Sequence, residues 1–194
     1  MLRTMSVDEY LDYDNHSPVR HEYVAGELYA MSGATARHNA IVMNVGTKLY
    51  AVAADGPCRV FMTDMRLEVA TDKYYYPDVM VVCTPVNDLD VIVRNACAII
   101  EVTSAQTSRT DRGEKLDSYK RVATLLTYLV IDHRRRRVDR YWREKPDDAW
   151  RHEELLAEGR VNIPCLGTQL GLGEIYHRVQ LPALGEPEHA DYEA

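Results

Sequence analysis

No two cysteines in this 194-residue sequence stand in a CxxC spacing. That removes the usual short signature of a zinc ribbon or a dithiol redox motif. Cys58, Cys83, Cys97 and Cys165 are scattered, and three of them fall in apolar, strand-like runs. They read as reduced, buried thiols in a cytoplasmic protein. The N-terminal MLRTMSVDEYLDYD lacks the apolar centre of a secretory signal. Nothing approaches a membrane-spanning apolar run, so no membrane partner is expected. Positive charge is also short: 23 Lys and Arg against 30 Asp and Glu leave a formal net charge of -7. A chain of that sign repels a phosphate backbone, so any nucleic-acid role needs a local basic surface. There are no internal repeats and no linker. The reading is one domain over residues 1–181, followed by an acidic, proline-bearing tail at 182–194 that is expected to be disordered.

What is present suits a globular domain, with 46% hydrophobic and 27% charged residues. Ser6 with Glu9 three residues on is a capping-box start to a short helix. HEYVAGELYAM reads as a hairpin turning at Ala25-Gly26. Residues 34–54 give the clearest helix, with Ile41, Val45, Leu49 and Val52 in one stripe, and Asp55-Gly56-Pro57 ends it. His38 lies on the buried side of that helix, where a hydrogen-bonded core histidine is the ordinary expectation. CRVFMTDMRLEVA predicts two short strand segments meeting near Thr63-Asp64, with Arg66 and Glu68 on a half-solvated face and Asp64 in a turn. Residues 84–95 read as a loop. LLTYLVID is a buried strand, HRRRRVDRYW turns into another, WRHEELLAEGRVNIP gives a further strand pair or a strand and turn, and LGEIYHRV a closing helix.

The chemistry concentrates in residues 76–120. YPDVMVVC and CAIIEVTS are apolar runs, each with one carboxylate near an end. Asp78, Met80 and Val82 share one strand face; Cys97, Ile99, Glu101 and Thr103 share another. If the two runs pair antiparallel, the start of the first lies beside the end of the second. Asp78 and Glu101 then converge at one sheet edge, where mutual repulsion is relieved by a divalent cation. In DRGEKLDSYK, Asp111 reads as an N-cap with Glu114 as its N3 partner. That places Lys115 in the first turns, with Tyr119 one turn on. Arg109, Arg112, Lys115, Lys120 and Arg121 form a basic patch bordering the acids and suited to phosphate contact. The run from Arg134 to Arg137 is flanked by Asp132 and Asp139 and reads as an ordinary strand turn.

A proline-aspartate, a glutamate some two dozen residues later and a lysine on the next helix together resemble the core of the PD-(D/E)XK nuclease superfamily. They are more similar still to the Uma-two family of restriction endonuclease-like proteins, in which the lysine has moved to the following helix. Thr103 stands where the superfamily's usual lysine would be, and Lys115 is its migrated counterpart. The resemblance runs from the first capping helix to LGEIY. It implies a mixed α/β (α+β) restriction endonuclease-like core, a central mixed sheet flanked by helices. It further implies Mg²⁺ or Mn²⁺ held by Asp78, Glu101 and the Val102 carbonyl, with Lys115 orienting water or stabilising the transition state. Glu22 matches a first-hairpin acid that helps hold the metal's waters, and His38, Thr103 and Tyr119 line the site. The implied activity is phosphodiester hydrolysis on nucleic acid, DNA above all, by a homodimer. A catalytically silent nuclease fold, acting as a binding module or homodimeric assembly protein, is the competing reading.

Overall fold

The two apolar runs form the strands β6 (Val79–Val82) and β8 (Ala96–Thr103). They pair antiparallel with Val79 opposite Ile100, which brings Asp78 and Glu101 to one end of the pair. The computed structural model describes residues 4–31, 33–103 and 108–182. The polar connection at 104–107 and the expected tail, from 183 on, lie outside the described residues.

In chain order the elements before this pair are α1 (Val7–His16), β1 (His21–Val24), β2 (Glu27–Ala30), α2 (Ala36–Ala53), β3 (Arg59–Met62), β4 (Arg66–Ala70) and β5 (Lys73–Tyr75). Between β6 and β8 lies β7 (Ile92–Val93). After it come α3 (Ser108–Asp111), α4 (Glu114–Tyr119), β9 (Thr127–Asp132), β10 (Arg137–Trp142), β11 (Arg151–Leu156), β12 (Arg160–Ile163), β13 (Thr168–Gly171) and α5 (Leu172–Ile175). A 3-10 turn, Pro164–Leu166, precedes β13. The central sheet is six-stranded, in the order β11-β10-β9-β8-β6-β3. It is mixed because β8 and β9 run parallel, Ala98 opposite Thr127, across the segment that carries α3 and α4. A second sheet, β2-β1-β5-β4-β7, stands beside it, and β12 with β13 forms a small third. Among the described residues no helix is long and apolar enough to cross a membrane.

Each face of the central sheet buries one helix. On one face α2 sets Ile41, Val45 and Leu49 against Val79, Val81, Ala98, Ile100 and Val102. On the other, Leu116 and Tyr119 of α4 pack on Met80, Val82, Ile99, Tyr128 and Val130. Strand alternation thus sends neighbouring residues of β6 and β8 to opposite helices. The hairpin β1–β2 turns at Ala25 and Gly26, both with positive φ (48° and 97°), the pattern of a type I′ turn. A Cβ at Gly26 would meet the Thr4 Cβ at 2.7 Å.

Several expectations need correction. Val52 is 40% exposed and leaves the apolar stripe of α2. The cysteines are not free thiols: Cys58 pairs with Cys83, and Cys97 with Cys165. The strands β3 and β4 belong to different sheets, with Asp64 in a left-handed turn between them (φ 65°). Residues 92–93 are not loop but β7, parallel to β4. The helix of Lys115 is short: it starts after Gly113 with no side-chain cap and ends at Tyr119. Glu114 bonds Lys73 Nζ and the Tyr75 hydroxyl, both at 2.6 Å, rather than closing a capping box with Asp111.

Arg66 shows how a pattern misleads. Alternation put it on a half-solvated face, yet it is only 2% exposed. Its Nη2 donates to Asp14 Oδ2 at 2.6 Å and its Nε to the Tyr76 hydroxyl at 2.9 Å. The His21 amide donates to Asp14 Oδ1 at 2.7 Å. This ion pair ties α1 to the second sheet, with the Tyr10 ring facing the guanidinium. A buried pair contributes little net stability, but stripping one partner leaves an uncompensated charge. We expect Asp14→Ala to cost about 3–5 kcal/mol in urea unfolding, and Asp14→Asn distinctly less. A loss below about 1 kcal/mol for the alanine variant would show that Arg66 reaches water instead.

Candidate active site

The site is built where β6 begins and β8 ends. A strand end leaves backbone groups without ladder partners, and here side chains take them up. Val102 N–H donates to Asp78 Oδ2 at 2.7 Å, and Asp78 N–H reaches Glu101 Oε2 at 3.4 Å. Each acid is therefore clipped to the backbone of the strand that carries the other. From the hairpin, Glu22 Oε1 accepts the Tyr76 amide at 3.3 Å, which draws the second sheet onto the same edge.

Lys115 closes the arrangement from α4. Its ammonium lies 2.7 Å from Glu22 Oε1, 3.2 Å from Glu101 Oε1 and 3.8 Å from Asp111 Oδ1. The residue is 8% exposed, and the Tyr75 ring lies beside it. Burial works against its charge, but Glu101, Glu22 and Asp111 outweigh burial and hold its pKa well above the usual lysine value. Glu101 is the opposite case. Burial, opposed by Lys115 but reinforced by Asp78, Asp111 and Glu22, pushes its carboxyl up to about 8. Tyr119 donates to Glu101 Oε1 at 2.8 Å, so the tyrosine one turn beyond Lys115 orients the acid. Three carboxyl groups thus lie within 4 Å of one ammonium.

His38 reaches the site from α2. Its Nε2 lies 3.2 Å from Asp78 Oδ2. Burial lowers its pKa, but the Asp78 bond and charge and a hydrogen bond to the Val102 backbone raise it overall.

The sequence reading therefore brings Asp78, Glu101, Lys115, Glu22, His38, Tyr119 and Val102 to one place. Thr103 is buried at the β8 terminus, its carbonyl accepting the His133 amide at 3.3 Å. The basic patch divides. Arg109 and Arg121 are exposed, and the chain just after Arg121 bonds to Ala96 and Cys97 at the start of β8, the end opposite Glu101. Lys120 lies over the Tyr141 ring at 5.4 Å. Arg112 turns aside to Asp139, donating from Nε and Nη2 at 3.0 and 2.8 Å. The arginine run is taken up locally: Arg134 and Arg135 pair with Asp132, and Arg137 with Asp139. Two residues were missed. Asp111 serves as a fourth acid rather than a cap, and its spacing of four from Lys115 was the available signal. His133 is buried, its pKa lowered by burial and then by the charge of His38; nothing in its local sequence marks it.

The raised carboxyl of Glu101 has a sign that can be checked. In the metal-free fold it keeps a proton that the unfolded chain releases at ordinary carboxylate pH. That contribution to stability is complete below the unfolded value of 4.5 and is lost as pH rises through about 8. The raised Lys115 contributes fully below the ordinary lysine value of 10.5 and adds pH dependence only above it, outside this window. Urea midpoints in EDTA should therefore fall between pH 5 and 9, Glu101→Gln should flatten that fall, and Mg²⁺ should restore stability mainly at the alkaline end. An equal slope for parent and variant would mean that Glu101 is not the titrating group.

Comparison with known proteins identifies the family and the fold. Residues 7–179 match the Uma2 family, described as "Putative restriction endonuclease". Two uncharacterised proteins of Synechocystis sp. are similar. The protein sll1609 is 31% identical over 160 residues, covering 80% of this chain and 90% of that protein. The protein slr1290 is 28% identical over 174 residues, covering 89% and 91%. The crystal structure of a "putative nuclease belonging to DUF820" from Anabaena variabilis superposes with a TM-score of 0.73 at 18% identity, over 89% of this chain and 97% of that one. That likeness shows the nuclease-like fold. With the match running over nearly all of its described length, the chain belongs to the Uma2 family, the one named Uma-two above.

Proposed function

We propose that this chain is a metal-dependent endonuclease that hydrolyses phosphodiester bonds of nucleic acid, with DNA as the substrate class. The observation that carries the reading is the charge of the site. Glu22, Glu101 and Asp111 all lie within 4 Å of one buried ammonium, with Asp78 clipped beside them. Burying carboxylates in such excess over cations is unfavourable unless a further cation joins them. The donors are hard oxygens, which suit Mg²⁺ or Mn²⁺ and not a thiophilic ion. Asp78, Glu101 and the Val102 carbonyl would hold it, with Glu22 orienting waters. Once bound, such an ion acts as a Lewis acid on the phosphate and lowers the pKa of a water.

The remaining steps belong to the chain's own groups. Lys115, held charged by its neighbours, orients the attacking water and stabilises charge building on the phosphate oxygens. Tyr119 keeps Glu101 in its rotamer, and His38 yields its N–H contact to Asp78 when the cation enters. Arg109 and Arg121, both exposed, would take phosphates of the bound nucleic acid away from the cleaved bond. The 84–95 segment exposes Leu89 (93%) and Val91 (60%), which supports this loop as the contact of a homodimer carrying two sites across a two-fold axis.

The decisive experiment is cleavage of plasmid and single-stranded substrates in Mg²⁺ and Mn²⁺. Asp78→Ala should abolish both cleavage and metal binding by calorimetry. Lys115→Ala should keep metal binding and lose cleavage by roughly a hundredfold or more. Arg121→Ala should leave the chemistry intact and reduce the salt slope of binding by about one unit. A parent chain that cuts no DNA or RNA, or a Lys115→Ala chain that cuts as well as the parent, ends the nuclease reading.

A further inference from the structure

Far from the acids, all four cysteines of the chain meet. Cys58 immediately precedes β3, Cys83 immediately follows β6, and the register sets Arg59 opposite Val82, so those two stand side by side. Cys97 should share the Ile99 face, but the register breaks opposite Val81 and Val82. Cys97 therefore packs with the α2-side core, among Cys58, Ala98 and Val81. Cys165 arrives from the 3-10 turn, 68 residues further along the chain. The disulfides Cys58–Cys83 and Cys97–Cys165 are not two separate staples. Cys83 Sγ lies 3.5 Å from Cys97 Sγ, and the sulfurs of Cys83, Cys97 and Cys165 all lie within 4.8 Å of one another. Cys58 Sγ is at the same place, 3.7 Å from the Cys165 carbonyl oxygen.

A staple needs two cysteines, and nothing in its chemistry draws a second staple against it. A soft cation, in contrast, needs four sulfurs around one point. Thiolates about 2.3 Å from a tetrahedral zinc stand about 3.8 Å apart, close to the 3.5 Å between Cys83 Sγ and Cys97 Sγ, and reduction frees the two bonded pairs to open toward that spacing. Among the described residues no Asp, Glu or His joins this group, so the donor set is all sulfur and selects a thiophilic ion. The cysteines belong to or border the apolar core on the α2 side of the central sheet, Cys58 and Cys97 within it and Cys83 and Cys165 packed against it.

We propose that the reduced chain binds Zn²⁺ in a closed tetrathiolate site formed by Cys58, Cys83, Cys97 and Cys165. Two equivalents of a dithiol reductant supply four electrons and four protons to open both disulfides, and the reductant leaves as its own disulfides. The four thiols then release four protons as the four Zn–S bonds form. The site is structural, tying the ends of β3, β6 and β8 to the 3-10 turn. It does not depend on the nuclease reading.

The test uses the full chain, reduced with a dithiol, freed of excess reductant without oxygen, and titrated with Zn²⁺ or Co²⁺ alone. We expect about one zinc per chain, protection of all four cysteines from alkylation, and a rise in melting temperature of roughly 5 °C. Cobalt should give the intense sulfur-to-metal charge-transfer absorption of a tetrathiolate. Asp78→Ala/Glu101→Ala should keep that absorption, which separates this site from the acidic one. Cys97→Ser/Cys165→Ser should lose it. If that variant fails to fold, the ¹¹³Cd resonance of the cadmium-loaded parent decides, since four sulfurs shift it far from oxygen ligation. A folded, reduced parent without thiolate–cobalt absorption overturns the proposal. So do disulfides that resist the dithiol, or a cadmium resonance in the oxygen range.

Discussion

The structure depends on one buried ammonium. Lys115 stands among Glu22, Glu101 and Asp111, and Asp78 is clipped to Glu101 through its own amide. These groups come from the hairpin, the two central strands and the junction of α3 with α4, so one charge holds four chain segments in register. The geometry of that junction follows from the same need. A Cβ at Gly113 would lie 2.9 Å from the Arg109 carbonyl oxygen, too close for any other residue, and the tight step from α3 to α4 turns both Asp111 and Lys115 inward. The interaction is asymmetric in energy. The ammonium offsets part of the repulsion among the acids and leaves a net negative site, which is unfavourable alone and favourable with a cation.

Tyrosine is the material that makes such a site tolerable. The chain has 13 tyrosines and a single phenylalanine, and the buried ones end on polar partners. Tyr119 donates to Glu101, Tyr75 to Glu114, Tyr76 to Asp14, and Tyr128 to the Asp111 carbonyl. The rings of Tyr75, Tyr119, Tyr128 and Tyr141 touch in succession beneath the acids. Phenylalanine would fill the same space and leave those oxygens without donors, at the full desolvation cost of each. The aromatic layer therefore excludes water and supplies hydrogen bonds with the same atoms.

How much of this could be read in advance divides along physical lines. Period-two alternation placed Asp78 and Glu101 on strand faces, and antiparallel pairing brought them together, because both rules act over a few residues. Helical spacing likewise gave Lys115 and Tyr119 one face. The failures involve partners remote in sequence. Arg66 is buried because Asp14, 52 residues earlier, neutralises it, and no local pattern carries that. His133 meets His38 only through the parallel pairing of β9 with β8. Cys97 changes faces at a register break that no alternation rule anticipates. The capping box at Asp111 failed for a related reason. Lys73 and Tyr75, on a strand of the other sheet, outbid a local backbone amide for Glu114.

The same two strands carry both special clusters, at opposite ends. Asp78 immediately precedes β6 and Cys83 immediately follows it, while Cys97 lies near the start of β8 and Glu101 near its end. Five residues of extended chain separate the ends by about 16 Å, and the core between them is Val, Ile, Ala and Met. Direct electrostatic influence of one cluster on the other is weak; the mechanical link through register is not. A slip of one residue between β6 and β8 would carry Glu101 to the face of α2 and away from Lys115, since side chains alternate with a period of two. A shared ion at the Cys83 and Cys97 end would oppose that slip without touching the acids, whereas the disulfides join Cys83 to Cys58 and Cys97 to Cys165 and make no covalent link between β6 and β8. The apolar middle of the pair cannot oppose it as well, because Val79, Val81 and Val82 are nearly interchangeable in shape. At the cysteine end, then, the reduced, ion-bound chain would hold the register that the acidic end uses.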